Sequence, residues 1–188
     1  MLLYITGPSG AGKSTLAAAW VASQEKDIAL IDGDHITSWL RHGDTSAVKA
    51  AVAEGPVERI AGVYRLTGEI CAAACQAYTA REVDVVIAQL CGFDPPPPWS
   101  KGWDLLEPLK PIFVVLYPER DVCQARLVAR GNSLDMSSYD FDWLAWEAHP
   151  RSLFLDNSAL SVEESVTALD SLLAEYMLQS SSCDGVGV

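Results

Sequence analysis

Short apolar runs alternate with amphipathic stretches along the chain. Five mainly apolar runs predict strands, at residues 2–6, 28–31, 83–90, 111–117 and 152–155. Each run is followed by a stretch whose apolar residues recur at helical spacing. Mainly apolar runs of this kind are typical of parallel strands that helices cover on both faces of a sheet. The pattern therefore predicts an α/β fold, with a five-stranded parallel sheet between two layers of helices.

The helical stretches have recognisable ends. The predicted helices cover residues 14–25, 35–42, 56–78, 103–109, 119–130 and 162–176. Gly43 and Gly131 follow two of them, where a glycine commonly ends a helix. Ser161 and Glu164 stand at the start of the last helix with the spacing of a capping box.

The remaining segments predict loops and a single domain. Residues 44–55 have weak periodicity and fit either a helix or a loop. The four prolines at 95–98 require a loop, since proline enters neither a sheet ladder nor a helix interior. We expect one domain over residues 1–178 and a flexible C-terminal tail over residues 179–188.

Composition and charge exclude several functions. The chain has 188 residues and a formal net charge of −12, and its 13 basic residues form no cluster. A nucleic-acid groove needs clustered basic side chains, so a polynucleotide partner is disfavoured. No apolar stretch is long enough for a membrane span. The N-terminus has no basic region before its first apolar run, so we expect a core strand there, no signal peptide and a cytoplasmic protein.

The cysteines predict core packing. Five are present, and none forms a Cys-x-x-Cys pair. Cys71 and Cys75 are four residues apart, a spacing that could hold a metal or a redox pair, but three alanines separate them. Small core-filling side chains on a helix, with reduced thiols, are the better interpretation.

The first apolar run leads directly into a phosphate-binding motif. The sequence fits the Walker A pattern G-x-x-x-x-G-K-[ST] through Gly7, Pro8, Ser9, Gly10, Ala11, Gly12, Lys13, Ser14 and Thr15. Such a loop points backbone N–H groups at an anion, at the positive end of the following helix. Lys13 can reach the β- and γ-phosphates, and the Ser14 hydroxyl can bind Mg²⁺. A glycine turn that only joins strand to helix would not need the Lys-Ser pair, so we predict a nucleoside triphosphate and Mg²⁺ as ligands.

Two carboxylates follow the second apolar run, at Asp32 and Asp34. Phosphate transfer to a hydroxyl needs a carboxylate that takes the hydroxyl proton, and it needs help in holding the metal. We expect Asp34 to be the base and Asp32 to assist the metal, although the sequence leaves the reverse assignment open. The alternative is a solvated Asp-Gly turn in which Asp34 caps the next helix.

Arg126 and Arg130 lie four residues apart and therefore share one helix face. Guanidinium groups can stabilise the charge on a phosphoryl group during transfer. The polar stretch after Gly131 predicts a lid over about residues 131–150, which would exclude water. The alternative is that these arginines pair with Glu119, Asp121 or solvent.

These elements, in this order, resemble the small-molecule kinases of the P-loop superfamily, such as gluconate kinase, adenylylsulfate kinase and chloramphenicol phosphotransferase. The segments VVIAQLCGF, FVVLYPERDVCQARLVAR and FLDNSALSVEESV are similar to their third, fourth and fifth strand regions. The resemblance implies the three-layer P-loop fold with strand order 2-3-1-4-5, and Mg²⁺-ATP as the phosphate donor. It also implies that Asp34 is at the base position of the chloramphenicol enzyme, that Arg126 and Arg130 match the lid arginines, and that Asn157 lies in the loop that borders adenine.

Two features depart from that family. The third strand ends Ile87-Ala88-Gln89-Leu90, without the metal-binding acidic residue that many P-loop proteins have there. Gluconate kinase resembles the chain in this respect. The loop at 95–98 has no counterpart, and nor do four tryptophans, at Trp99, Trp103, Trp143 and Trp146. They would form either an aromatic acceptor pocket or part of the core and lid packing.

The sequence thus predicts an ATP-dependent kinase that phosphorylates a hydroxyl of a small molecule, such as a sugar acid or an antibiotic. It would act as a monomer or a homodimer. A nucleoside or nucleotide kinase is the alternative, because Arg41, Arg59 and Arg65 could bind an acceptor phosphate. An alternative of another class is a regulator that binds a nucleotide without catalysis, although such a protein has no need of a base.

Overall fold

A five-stranded parallel sheet forms the centre of the computed structural model, which describes residues 1–47, 57–90, 103–137, 141 and 143–183. The strands are β1 (Leu2–Thr6), β2 (Ile28–Asp32), β3 (Arg41–His42), β4 (Thr45–Ser46), β5 (Asp84–Ala88), β6 (Ile112–Leu116) and β7 (Ser152–Leu155). The main sheet has the order β2-β5-β1-β6-β7 with every neighbouring pair parallel, and β3 and β4 form a separate antiparallel hairpin. Counted along the chain, the five strands of the main sheet follow the order 2-3-1-4-5. The predicted fold class is confirmed.

Helices cover both faces of this sheet. They are α1 (Lys13–Ala22), α2 (Gly33–Trp39), α3 (Val57–Thr79), α4 (Arg120–Ala129), α5 (Trp143–Ala148) and α6 (Val162–Cys183), with a 3₁₀ helix at Trp103–Leu109. Among the described residues, none of these helices is long and apolar enough to cross a membrane.

Successive residues of each central strand enter different cores. On one face, Leu3 and Ile5 of β1 pack with residues of α1 and α6. On the other face, Leu2 and Tyr4 pack with α3 and with Trp146 of α5. Because both faces are covered, every position of β1 and β6 is buried and apolar, except for the buried Thr6. Each large aliphatic or aromatic side chain buried in this way contributes about 1.5–3 kcal/mol.

The prediction of a helix over residues 35–42 was wrong at both ends. The helix begins earlier, at Gly33, and ends at Trp39, and the chain then forms the β3–β4 hairpin. Its two-residue loop is Gly43-Asp44, with Gly43 at a φ of 62°. A Gly-Asp pair is a recognised hairpin signal, because such loops need a positive φ. The rest of the uncertain segment, residues 48–55, lies outside the described residues, as does the proline run at 95–98.

The C-terminal helix is longer than predicted. It starts with the expected capping box, in which the Glu164 amide donates to Ser161 Oγ at 3.1 Å and the Ser161 amide donates to Glu164 Oε2 at 2.8 Å. It then continues to Cys183, so a tail that starts at residue 179 was wrong for its first residues. Residues 184–188 lie outside the described part of the chain.

Trp146 belongs to the core and not to an acceptor pocket. Its side chain is fully buried, and its ring lies 5.0 Å from that of Phe113 in β6. Phe141 is buried in the same cluster. Both residues lie within the predicted lid, which is therefore anchored to the core at these two points. The side chains of Trp99, Trp103 and Trp143 lie outside the described part of the structure.

Cys71 and Cys75 are buried on α3, as predicted. Burial raises the pKa of the Cys75 thiol to about 12, and the neighbouring Cys71 thiol makes a smaller contribution in the same direction. At about pH 8 this thiol stays protonated, and only the thiolate reacts with alkylating reagents. We therefore expect Cys75 to resist iodoacetamide in the folded protein and to react once urea unfolds it. Peptide mass mapping measures both rates, and rapid modification of Cys75 in the folded protein would contradict its burial.

Candidate active site

The segment between β1 and α1 forms a loop that only glycine permits at two positions. Gly7 has a φ of 141°, and a Cβ there would lie 2.4 Å from the carbonyl oxygen of Leu116. Gly10 has a φ of 83°, and its Cβ would lie 2.5 Å from the carbonyl oxygen of Cys123. The loop is thus packed closely against β6 and α4.

The loop ends at the N-terminus of α1. No side chain caps this terminus, and the first turn of α1 contains no acidic residue. Its first N–H groups therefore have neither a capping oxygen nor a neighbouring negative charge, which is the arrangement of an anion-binding helix end. Lys13 Nζ donates to the carbonyl oxygens of Gly7 at 3.1 Å and Pro8 at 2.9 Å, which places its positive charge at the loop.

Arg126 and Asn157 are brought to the other side of this loop. Arg126 donates through Nη1 to the Ala11 carbonyl at 3.2 Å and through Nη2 to the Asn157 carbonyl at 2.8 Å. The Asn157 side chain donates to the same Ala11 carbonyl at 2.9 Å. The guanidinium and the amide thus connect the phosphate loop, α4 and the loop after β7.

A cavity of about 270 Å³ opens beside this junction. Arg126, Arg130 and Asn157 line it, and Leu16, Leu160 and Val162 supply apolar walls. An apolar cleft with a guanidinium on one wall suits the flat face of a nucleobase. The structure therefore brings together three residues that the sequence analysis placed with the nucleotide.

The two carboxylates after β2 have different environments. Asp32 is the N-cap of α2, and its Oδ1 accepts hydrogen bonds from the amides of Asp34 at 2.9 Å and His35 at 3.3 Å. The interpretation of Asp34 as the helix cap was wrong, since Asp32 has that role. Asp34 lies in the first turn of α2 with an exposed side chain.

Tyr64 is a site residue that the sequence analysis did not identify. Helix α2 packs on α3, where the hydroxyls of Thr37 and Thr67 form a buried hydrogen bond of 3.0 Å. Asp34 lies one helical turn before Thr37 in α2, and Tyr64 lies one helical turn before Thr67 in α3. Burial and then the charge of Asp34 raise the pKa of Tyr64, so its phenol stays protonated and can donate a hydrogen bond. In the sequence it shares the helical spacing of the apolar residues of α3, which gives no sign of a role in the site.

A larger cavity of about 580 Å³ lies beside Pro8 of the phosphate loop. Tyr117 and Phe154 form one aromatic wall, with their rings 5.9 Å apart, and Phe141 lines the cavity as well. Arg120 and Glu147 supply charged groups to its lining. The described aromatic surface near the phosphate loop is thus built from β6, β7 and the predicted lid, without Trp146.

The residues present fit a magnesium ion that arrives with a nucleotide. Among the described residues no group of three or more His, Cys, Asp or Glu side chains could hold a metal by itself. Mg²⁺ bound with phosphates needs only one or two hard oxygen ligands from the protein. The exposed Ser14 hydroxyl at the start of α1 and the Asp32 carboxylate at the end of β2 supply that kind of donor.

Several solved structures share this fold. A sugar kinase from Janibacter sp. HTCC2649 aligns with a TM-score of 0.60 and 15% identity over 92% of this chain and 94% of its own. A gluconokinase from Sinorhizobium meliloti 1021 aligns with a TM-score of 0.57 and 19% identity over 95% of this chain and 96% of its own. The tunicamycin resistance protein of Deinococcus radiodurans aligns with a TM-score of 0.60 and 13% identity over 92% of this chain and 94% of its own. These likenesses show the shared fold.

A curated kinase is similar in sequence to part of this chain. Adenylyl-sulfate kinase from Myxococcus xanthus (strain DK1622) is 34% identical over 90 residues, which cover 45% of this chain and 48% of that protein. The match thus spans about half the length of this curated relative. No protein-family model matches the chain. The resemblance to the P-loop small-molecule kinases, predicted from the sequence, is confirmed.

Proposed function

We propose that this protein is an ATP-dependent kinase that transfers the γ-phosphate to a hydroxyl of a small molecule, such as a sugar acid or an antibiotic. The observation that carries the proposal is the complete phosphate loop from Gly7 to Thr15. It lies between β1 and an uncapped α1, with the Lys13 ammonium held against it. A turn with a purely structural role would require neither the lysine nor the uncapped helix.

The phosphate loop and its neighbours share three tasks in this proposal. Its backbone N–H groups bind the β- and γ-phosphates, and Lys13 exchanges its bonds to Gly7 and Pro8 for bonds to phosphate oxygens. Ser14 and Asp32 would hold Mg²⁺, which would neutralise charge on the phosphates. Arg126 and Arg130 stabilise the transferring phosphoryl group from α4.

Asp34 acts on the acceptor. Its carboxylate takes the proton of the acceptor hydroxyl while the new O–P bond forms and the bond from the γ-phosphorus to the bridging oxygen of ADP breaks. Asp32 is the weaker candidate for this role, because one of its oxygens already accepts two backbone N–H groups as the cap of α2. Asp34 is exposed beside Tyr64, where an acceptor can approach.

The nucleotide-binding role of Arg126 gives a specific prediction. Arg126→Ala removes the bonds to Ala11 and Asn157, so we expect kcat/KM for ATP to fall at least about 10-fold. Arg81→Ala is the matched control, because Arg81 is exposed just after the end of α3 and its guanidinium donates to the Ala77 carbonyl of that helix. Steady-state kinetics with varied ATP measure both, and equal kinetics for the two variants would remove Arg126 from the site.

The nucleotide-kinase alternative has less support. Arg65 donates to both carboxylate oxygens of Asp104 at 3.0 Å, and Arg41 donates to the Asp44 carbonyl. Arg59 lies 3.5 Å from His42 Nδ1.

A panel of acceptors tests the proposal against its alternatives. ADP release is measured with D-gluconate, adenylyl sulfate, a nucleoside and a nucleoside monophosphate, each against a reaction without acceptor. Release that depends on one of the first two supports the proposed function. Release that depends only on the last two favours the nucleotide kinase, and binding of ATP without release for any acceptor favours a regulator. The cytoplasmic location and a monomeric or homodimeric state belong to the same proposal.

A further inference from the structure

Gln89 is a buried polar residue at the point where β5 meets the candidate active site. It follows the last residue of β5, and its amide donates to the Ile5 carbonyl of β1 at 3.1 Å. Only 2% of it is exposed, and its Oε1 accepts a hydrogen bond of 3.1 Å from the Tyr4 hydroxyl. The side chain is therefore fixed at its far end by the core of the sheet.

The Gln89 side chain also packs closely against Gly33. Ala88 is the register partner of Asp32, so Gln89 and Gly33 are the residues that directly follow two neighbouring strands. A Cβ on Gly33 would lie 2.3 Å from Gln89 Cδ and 2.5 Å from its Nε2. Gly33 begins α2 with a φ outside the left-handed range, so an alanine would suit its backbone. It is the Gln89 amide that leaves no room for a side chain there.

The Gln89 side-chain amide also has a donor nitrogen without a hydrogen-bond partner among the described residues. Its Nε2 is buried and has no partner among the described residues, which costs free energy. A neutral group nevertheless suits this place better than a charged one. Gly33 lies between Asp32 and Asp34, and a third carboxylate, buried beside them, would be both desolvated and repelled. The uncharged amide fills the space under the turn without adding negative charge.

We propose that Gln89 is a positioning residue, whose side chain holds the Asp32-Gly33-Asp34 turn, and hence the Asp34 carboxylate, in place for the acceptor. Tyr4 holds the amide from the core side, and Gly33 is the surface on which it acts. The catalytic part of this inference rests on the function proposed above, whereas the contact between Gln89 and the turn does not.

A double-mutant cycle tests the contact without any substrate. The proteins are the wild type, Gly33→Ala, Gln89→Ala and the double variant. The readout is hydrogen exchange of the Asp34 and His35 amides, which donate to Asp32. We expect each single substitution to speed exchange about 10-fold, and the double variant to exchange more slowly than Gly33→Ala, since the new methyl group then has room. Additive effects in the double variant would overturn the inference.

Kinetics then test the positioning of Asp34. With whichever of D-gluconate and adenylyl sulfate the wild type phosphorylates, kcat should fall about 10-fold in each single variant and recover partly in the double variant. KM for ATP should stay unchanged, which a general loss of structure would not allow. Gln89→Met keeps the bulk against Gly33 but loses the bond from Tyr4, so its kcat should lie between those of the wild type and Gln89→Ala. Gln89→Asn replaces Gln89→Ala if thermal unfolding shows that the latter does not fold.

The hydrogen-exchange and kinetic measurements test separate claims. A wild type that phosphorylates no acceptor contradicts the proposed function, while the exchange rates still decide whether Gln89 holds the turn. A wild type that phosphorylates an acceptor, with unchanged kcat in both single variants, supports the proposed function and overturns the positioning role of Gln89.

Discussion

Lys13→Ala is expected to reduce phosphate transfer by about 100- to 1000-fold, the loss typical of one preorganised donor to a developing negative charge. Lys13 Nζ lies against the carbonyl oxygens of Gly7 and Pro8, so the ammonium is already at the loop where phosphates would bind. Its loss removes a full positive charge from the place where the transferring group has its greatest negative charge. The measurement is kcat with saturating ATP and acceptor.

The control for this variant is Lys26→Ala. Lys26 is 59% exposed and pairs with Asp84 at the start of β5, far along the sheet from the phosphate loop. We expect its removal to leave kcat unchanged, because an exposed ion pair contributes at most about 1 kcal/mol to stability and none to the site. If Lys13→Ala and Lys26→Ala turn over ATP equally well, the phosphate loop has no catalytic role.

Asp34→Asn is the second large effect, with an expected fall in kcat of about 100-fold or more, as for loss of a general base. Asparagine keeps the size and polarity of the side chain but cannot take a proton from the acceptor hydroxyl. The exposed position of Asp34 means that the substitution should leave the fold intact. Thermal unfolding checks the fold, and steady-state transfer to the acceptor measures kcat.

Asp32→Asn separates the two carboxylates. Asparagine is as good a helix cap as aspartate, so α2 should keep its start. The charge that would help to hold Mg²⁺ is lost, so a higher Mg²⁺ concentration should be needed for half-maximal activity. At saturating Mg²⁺, kcat should fall less than it does in Asp34→Asn. If Asp34→Asn keeps full activity and Asp32→Asn loses it at every Mg²⁺ concentration, Asp32 is the base.

Local patterns were sufficient to predict most of the fold. The central strands are buried on both faces, so their apolar runs mark them directly, and the five runs correspond to the five strands of the main sheet. The phosphate loop was equally clear, because one short segment contains all its functional groups. The β3–β4 hairpin was missed, since its strands are only two residues long and only Gly43-Asp44 marks it.

The rest of the candidate site depends on contacts between distant segments. Tyr64 and Asp34 are 30 residues apart, and Gln89 and Gly33 are 56 apart, so no local pattern relates them. Tyr64 occupies an apolar position of its helix, and Gln89 stands where many P-loop proteins have an acid. The sequence analysis could note the missing acid, but only the packing shows that the amide contacts the turn between the two carboxylates.

Transfer of radiolabelled phosphate from [γ-³²P]ATP to an acceptor tests the central proposal most directly. The wild type is incubated with D-gluconate or adenylyl sulfate, and the labelled product is separated from ATP and free phosphate. We predict a labelled acceptor with the wild type and at most a trace with Lys13→Ala or Asp34→Asn. Label found only in free phosphate for every acceptor, or equal labelling by the wild type and Lys13→Ala, would contradict the assignment of this chain as a small-molecule kinase.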